Sequence, residues 1–379
     1  MLQVPGHLNL QAIEDSLLSL QRLPDQKTIW PFHVRGIALG GEAALAQLII
    51  TWALAARRPA LNLPTGSFTP QQIDEFVSQL HGLTASLVCE SAVDQSGEQH
   101  QELLRANALL KLHELDGSTP RNALHRLHDL TILCADHLGR NTPRLLYYSG
   151  VDRAPSVRNE KEFRLLVHWI LRSITPESRQ RRNSSIGDAV GSMLHEVFEN
   201  TEEHATKDLE GNLLRKSLRG FFARHHWLSE HESDTLTEGY PALRQFCRAI
   251  PSSGTRKQLL EISVFDSGPG FAQRLTKTKL SELSTKQEFG AVRDCFRGRV
   301  TTKTHSGHGI GLKYVLRLLR QRQGFLRLRT GRLSLFADLS KDGLTEADSA
   351  PDLRDASGGE VARRAVVQGT LMSLLIPLS

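Results

Sequence analysis

Apolar residues recur along the chain at two spacings, and the alternation between them sets out the elements. TIWPFHV, residues 28 to 34, reads as a strand. GEAALAQLIITWALAARR, 41 to 58, reads as a helix that is apolar almost all round, which predicts burial against a sheet. PALNLP follows as a short strand, and FTPQQIDEFVSQLHGL opens a helix with a threonine cap and proline at its first position. This β-α-β-α order predicts a small α/β domain over residues 1–135.

From 136 to 185 the sequence turns basic and irregular around one apolar helix, LLVHWILRSI, and reads as a connector between domains. Residues 206–256 read as a second irregular stretch, and 341–360 as a mobile loop between strands. Between them lie three sharper patterns. MLHEVFENTEEHA, 193 to 205, is helical. At about 100° per residue, Glu196, Glu199, Asn200, Glu203 and His204 share one face, and Leu194, Val197, Phe198, Thr201 and Ala205 the other. LLEISVFDSGPGF, 259 to 271, is an apolar strand that ends at Asp266 in a turn made by Gly268 and Gly270. HSGHGIGLKYVLRLL, 305 to 319, is a glycine-rich loop running into a helix of apolar period.

A chain of 379 residues exceeds one compact domain, so two are expected. No basic segment followed by an apolar run opens the sequence, and the apolar window 37–56 is too short between charges to span a bilayer. Cys89, Cys134, Cys247 and Cys295 are scattered, which fits free thiols in a reducing cytoplasm. Cys295, His305 and His308 lie close together but lack a fourth zinc ligand, so no structural metal is expected there. The formal charge of +6 is mild, yet 312–332 carries Lys313, Arg317, Arg320, Arg322, Arg327, Arg329 and Arg332 without an acid. That run reads as a solvated helix face followed by a sheet edge blunted by arginines. A phosphate-rich partner stays open.

The three patterns carry compatible chemistry. Magnesium accepts one or two protein oxygens beside phosphates and waters, so the Asn200 amide suffices for it, and Glu196 one turn earlier can activate a water or hydroxyl. A carboxylate at a strand end, as at Asp266, accepts a hydrogen bond from an exocyclic amine such as adenine's. Free amides at a helix start hold phosphate, and Gly307, Gly309 and Gly311 leave the backbone open for that role. Each pattern alone is an ordinary acidic helix, strand-ending turn or glycine loop. The third lacks the Lys-Ser/Thr ending of a P-loop and the setting of a dinucleotide fold.

In order, Glu-x-x-x-Asn in HEVFEN, Asp-x-Gly-x-Gly in DSGPG and Gly-x-Gly-x-Gly-Leu in GHGIGL resemble the asparagine box and two glycine boxes of the GHKL ATPases. That superfamily includes gyrase, heat-shock chaperones, MutL proteins and histidine kinases. VVQGTLMSLLIPL resembles the last box, with Gly369 and Thr370 opening the final strand. The resemblance covers about 186–379 and implies a Bergerat-type ATP-binding domain: a two-layer α/β sandwich with a mixed sheet covered by helices. It implies Asn200 as magnesium ligand, Glu196 as general base, and Asp266 with Gly268 and Gly270 at the adenine, assisted by Thr370. Gly307, His308, Gly309, Ile310, Gly311 and Leu312 would hold the phosphates. Residues 271–306 would form the ATP lid, with Lys303 as a further phosphate contact.

His204 falls where anti-sigma-type serine kinases often carry histidine. The amino-terminal order loosely resembles STAS-type regulatory domains, although RGIALGGE lacks their Asp-Ser-Ser. A sensor histidine kinase would need a phosphoacceptor such as His128 on a helical hairpin, which the sequence around it does not supply. Two functions therefore stand: an ATP-operated switch or slow ATPase in intracellular signalling or defence, and a protein serine/histidine kinase of the anti-sigma type. The expected partner is a protein bound through the amino-terminal domain. A homodimer stays open, nucleic acid is disfavoured, and no membrane partner is expected.

Overall fold

The computed structural model describes residues 2–4, 9–25, 28–31, 34, 37–63, 69–117, 129–139, 142–150, 153–175, 184–297, 311–341 and 350–378. The amino-terminal part keeps the strand–helix rhythm: β1 (Leu2–Gln3), α1 (Leu10–Arg22), β2 (Thr28–Ile29), α2 (Gly41–Ala55), β3 (Ala60–Asn62), α3 (Pro70–Val77), α4 (Leu80–Val88), β4 (Ser91–Val93) and α5 (Gln101–Gly117). Strands β1 to β4 pair in parallel in that order, and the helices supply the crossovers parallel strands require. Thr69 caps α3 in a capping box with Gln72, ahead of Pro70. Of the expected strand 28–34, β2 covers Thr28–Ile29 and stops before Pro31, which has no amide hydrogen to extend the ladder, while residues 32 and 33 lie outside the described residues.

The remaining elements are β5 (Asp129–Ala135), β6 (Tyr147–Gly150), β7 (Arg153–Val157), α6 (Glu160–Ile174), α7 (Ser184–His204), β8 (Leu218–Leu228), α8 (Glu230–Leu236), α9 (Pro241–Ala249), β9 (Lys257–Phe265), α10 (Phe271–Thr276), α11 (Thr285–Arg297), α12 (Gly311–Gln321), β10 (Phe325–Gly331), β11 (Leu333–Asp338), β12 (Arg354–Asp355) and β13 (Val367–Pro377). Seven of these strands form one sheet in the order β12-β11-β10-β13-β9-β8-β5, antiparallel at every pairing. The fold is α/β, with parallel and antiparallel sheets packed against helices. Among the described residues no helix is long and apolar enough to cross a membrane.

Both faces of the large sheet are covered, which is why β9 and β13 read as nearly unbroken apolar runs. Leu260, Ile262, Val264, Leu326, Leu328, Met372 and Leu374 share one core with residues of α6, α7, α11 and α12. On the opposite face Phe265, Phe325, Phe336, Leu371 and Leu375 share a core with Trp52, Leu45 and Leu48 of α2. The all-round apolar character of α2 follows from this position, and α2 packs directly on β13.

Four further expectations differ from this arrangement. Strand β5, within the range given to the amino-terminal domain, is the edge strand of the seven-stranded sheet. The apolar helix of the connector, α6, buries Phe163, Leu166, Val167, Ile170, Leu171 and Ile174 against α7, so it belongs to a core. FFARHHW, within the stretch read as irregular, lies in strand β8. Its polar residues are paired, the buried His226 with Glu261 at 2.9 Å and the partly buried Arg224 with Glu42 at 3.1 Å, and this hides the strand from a hydropathy pattern.

The arginine run is the fourth. Strand β10 lies between β11 and β13 rather than at an edge, and Arg320, Arg327, Arg329 and Arg332 are buried. Arg329 pairs with Glu14 of α1 at 2.8 Å and donates to the Ala365 carbonyl at 2.6 Å. Arg332 pairs with Glu288 of α11 at 2.6 Å. These two arginines join the sheet to its covering helices and present nothing to a phosphate backbone.

Candidate functional site

Helix α7 places its residues as the angular bookkeeping predicts. Leu194, Val197, Phe198, Thr201 and Ala205 are buried, while Glu196, Glu199, Asn200 and His204 are partly exposed and Glu203 is exposed. The Asn200 side chain makes no hydrogen bond to a described residue. Glu196 lies 3.8 Å from His195 Nδ1, and Glu199 lies 3.7 Å from His195 Nε2. Burial pulls the His195 pKa down, but the carboxylates of Glu196, Glu199 and Glu160 outweigh it and hold it above its ordinary value.

The loop after β9 meets the far end of this helix. A Cβ on Gly268 would lie 2.9 Å from both Ala205 Cα and the His204 carbonyl, so only glycine lets the loop seat there. The Gly268 amide donates to Asp266 Oδ1 at 2.7 Å, and the Asp266 amide donates to the Thr370 carbonyl at 3.0 Å. Strand β13 approaches so closely at Gly369 (φ +73°) that an added Cβ would stand 1.8 Å from the Asp266 carbonyl. Gly270 (φ +84°) turns the chain into α10, where Thr330 Oγ1 accepts from the Phe271 amide at 3.2 Å and lies 3.1 Å from Thr370 Oγ1. Ser267 Oγ straps the loop to β8 by donating to the Leu218 carbonyl at 2.6 Å.

Asp266, Gly268, Gly270 and Thr370 are thus brought together against the helix that carries Glu196 and Asn200. Helix α12 begins at Gly311 and packs on α7, with Leu312 partly exposed in its first turn. Gly307, His308, Gly309 and Ile310 lie outside the described residues, as do Lys303, His305 and His128. Of the expected lid, 271–297 forms α10 and α11, and 298–306 lies outside the described residues.

Sequence reasoning missed two side chains that join this site. Arg274, in the first helix after DSGPG, donates to the Glu203 carbonyl at 3.2 Å and to His204 Nδ1 at 2.6 Å. It closes the carboxyl end of α7 and assigns Nδ1 of His204 as an acceptor. Thr330 lies far from any motif in sequence, and only the β10–β13 pairing brings it beside Thr370.

Burial pushes the Asp266 carboxyl up to about 6 from its ordinary 3.8, against the pull of the Gly268 amide and of Arg274 and Arg219. A raised carboxyl pKa favours the folded state while the group is protonated. The contribution is full below pH 3.8 and is lost as pH rises through about 6. Replacing Asp266 by asparagine is therefore expected to stabilise the ligand-free chain by about 3 kcal/mol near neutral pH, and by about 0.5 kcal/mol at about pH 4. Urea unfolding of wild type and variant at both pH values measures this, and an equal gain at both would contradict it.

No family model, curated protein or solved structure matches the chain.

Proposed function

We propose that the chain is an ATP-binding protein of the GHKL type, with magnesium held at Asn200, acting as an ATP-operated switch or slow ATPase. The observation that carries this reading is the seating of the Asp266 loop on the end of α7, where Gly268 has no room for a side chain against Ala205. Along the helix axis Ala205 stands about 7 Å from Asn200 and about 13 Å from Glu196, at 1.5 Å per residue. An elongated ligand with an amine at one end and phosphates at the other fits that span: a partly buried acceptor at Asp266, a free amide oxygen at Asn200, and a carboxylate beyond it.

The donor set suits magnesium, which takes few protein oxygens and completes its shell with phosphate and water. When bound, it would neutralise phosphate charge. Glu196 would accept a proton from the attacking water, while Asp266 orients the base and Thr370, beside Thr330, adds a hydroxyl at the same end. Glu196→Gln is expected to keep ATP affinity within about twofold and to lower phosphate release by at least about 100-fold. Parallel binding and phosphate-release assays measure both, and unchanged release would take the base role from Glu196.

A second reading, transfer of phosphate to a serine or histidine of a partner protein, draws on His204, which Arg274 fixes at the end of α7. Incubation with labelled ATP separates the two. Free phosphate released without a partner favours the switch, and label on a co-purifying protein favours the kinase.

A further inference from the structure

We propose that Gln368 is a positioning residue that couples the Asp266 loop to the amino-terminal unit, so that nucleotide binding and the seating of α2 report on each other; this rests on the ATP-binding reading. Gln368 lies in β13 directly before Gly369 and Thr370. Its backbone is held by α2: the Gln368 amide donates to Thr51 Oγ1 at 3.0 Å, and Gln47 Nε2 lies 3.5 Å from the Gln368 carbonyl. Gln47 also donates to the Arg329 carbonyl at 3.2 Å, which fixes α2 across β10 and β13 together. The side chain of Gln368 serves the motif loop, with Nε2 donating to the Ser267 carbonyl at 3.0 Å and the Gly268 carbonyl at 3.2 Å.

A continuous route therefore runs from Thr51 through Gln368 to Gly268, and from Gly268 by its amide to Asp266 and by close contact to Ala205. There is little slack in it. Gly369 brings β13 to within 1.8 Å, measured from the position of an added Cβ, of the Asp266 carbonyl, so the loop and the strand cannot shift independently. A ligand that moves the loop must either break the Gln368 side-chain bonds or carry β13 and its bonds to α2 along. By linkage, a change at the α2 end must alter ligand affinity by the same factor. Thr51 reaches the loop by hydrogen bonding only through Gln368 among the described residues, so it tests the coupling without touching the ligand.

The test uses the full chain as wild type, Thr51→Val, Thr51→Ser and Gln368→Met, measuring magnesium-ATP affinity and amide hydrogen exchange. In wild type, saturating ATP is expected to slow exchange both in the Asp266 loop and in α2. Thr51→Val and Gln368→Met should bind ATP about five- to tenfold more weakly and keep ATP protection in the loop while losing it in α2. Thr51→Ser, which retains the accepting hydroxyl, should match wild type, an outcome that loss of packing alone would not give. Protection of the loop in wild type with α2 unchanged overturns the coupling, as does a Thr51→Val variant with wild-type affinity and protection. Absence of any ATP protection at the wild-type loop overturns the nucleotide reading itself, and the coupling with it.

Discussion

Asn200→Ala is expected to abolish magnesium-dependent ATP binding, weakening affinity by at least about 100-fold, or about 3 kcal/mol. Asn200 is the one neutral amide on the exposed face of α7, among Glu196, Glu199 and Glu203, and its oxygen is not engaged by a described residue. On the proposed reading, removing it would delete a magnesium ligand and leave the glutamates to repel phosphate. Because the side chain is partly exposed and unbonded, unfolding free energy should change by less than about 0.5 kcal/mol. Lost binding in a stably folded variant is the informative combination. Calorimetric titration beside urea unfolding checks it, and unchanged affinity removes Asn200 from the site.

Gly369→Ala should be the most damaging single change in the large sheet. The residue sits at φ +73° in the irregularity where the β10 register passes from Thr370 to Val367, and the new Cβ would meet the Asp266 carbonyl at 1.8 Å. Neither atom is the end of a flexible side chain, so strand or loop must move. The expected cost is at least about 3 kcal/mol, with nucleotide binding lost because Asp266 moves with the loop. Gly358→Ala is the matched control. Gly358 has φ +81° but nothing within 4 Å of an added Cβ, so only the backbone strain of about 1 kcal/mol remains. Equal destabilisation by the two substitutions would contradict the close approach of β13 to the motif loop.

What the sequence disclosed and what it hid divide along physical lines. The inward residues of α7 were legible because helical period is local: five positions chosen by angle alone are all buried. The final strand was legible for the same kind of reason, as an apolar run opened by Gly369. Arg329 was not, because its partner Glu14 lies more than three hundred residues away, and nothing near the arginine marks it as buried rather than solvated. Strand β8 was hidden by its own charges, each answered from another element: Arg219 by Asp136, Arg224 by Glu42, His226 by Glu261. Thr330 lies in no motif, and Gln368, although inside VVQGTLMSLLIPL, holds no position to which the resemblance gives a role. Their place beside Asp266 comes from strand pairing and from the amino-terminal unit lying on the sheet.

The cover over the large sheet changes what the amino-terminal unit can do. A partner-binding domain attached by a flexible connector would be free of the proposed nucleotide site. Here α2 shares a core with β13 and with Phe265, the residue before Asp266. Any partner that grips the amino-terminal unit acts on a body already packed against the strand that holds the motif loop.

Titration of the full chain with ATP, in magnesium and in excess chelator, tests the central claim most directly. The account predicts saturable binding of one ATP per chain, tighter with magnesium and lost when Asp266 or Asn200 is replaced by alanine. Absence of saturable binding at about 1 mM ATP, where a dissociation constant corresponds to only about 4 kcal/mol, would contradict it.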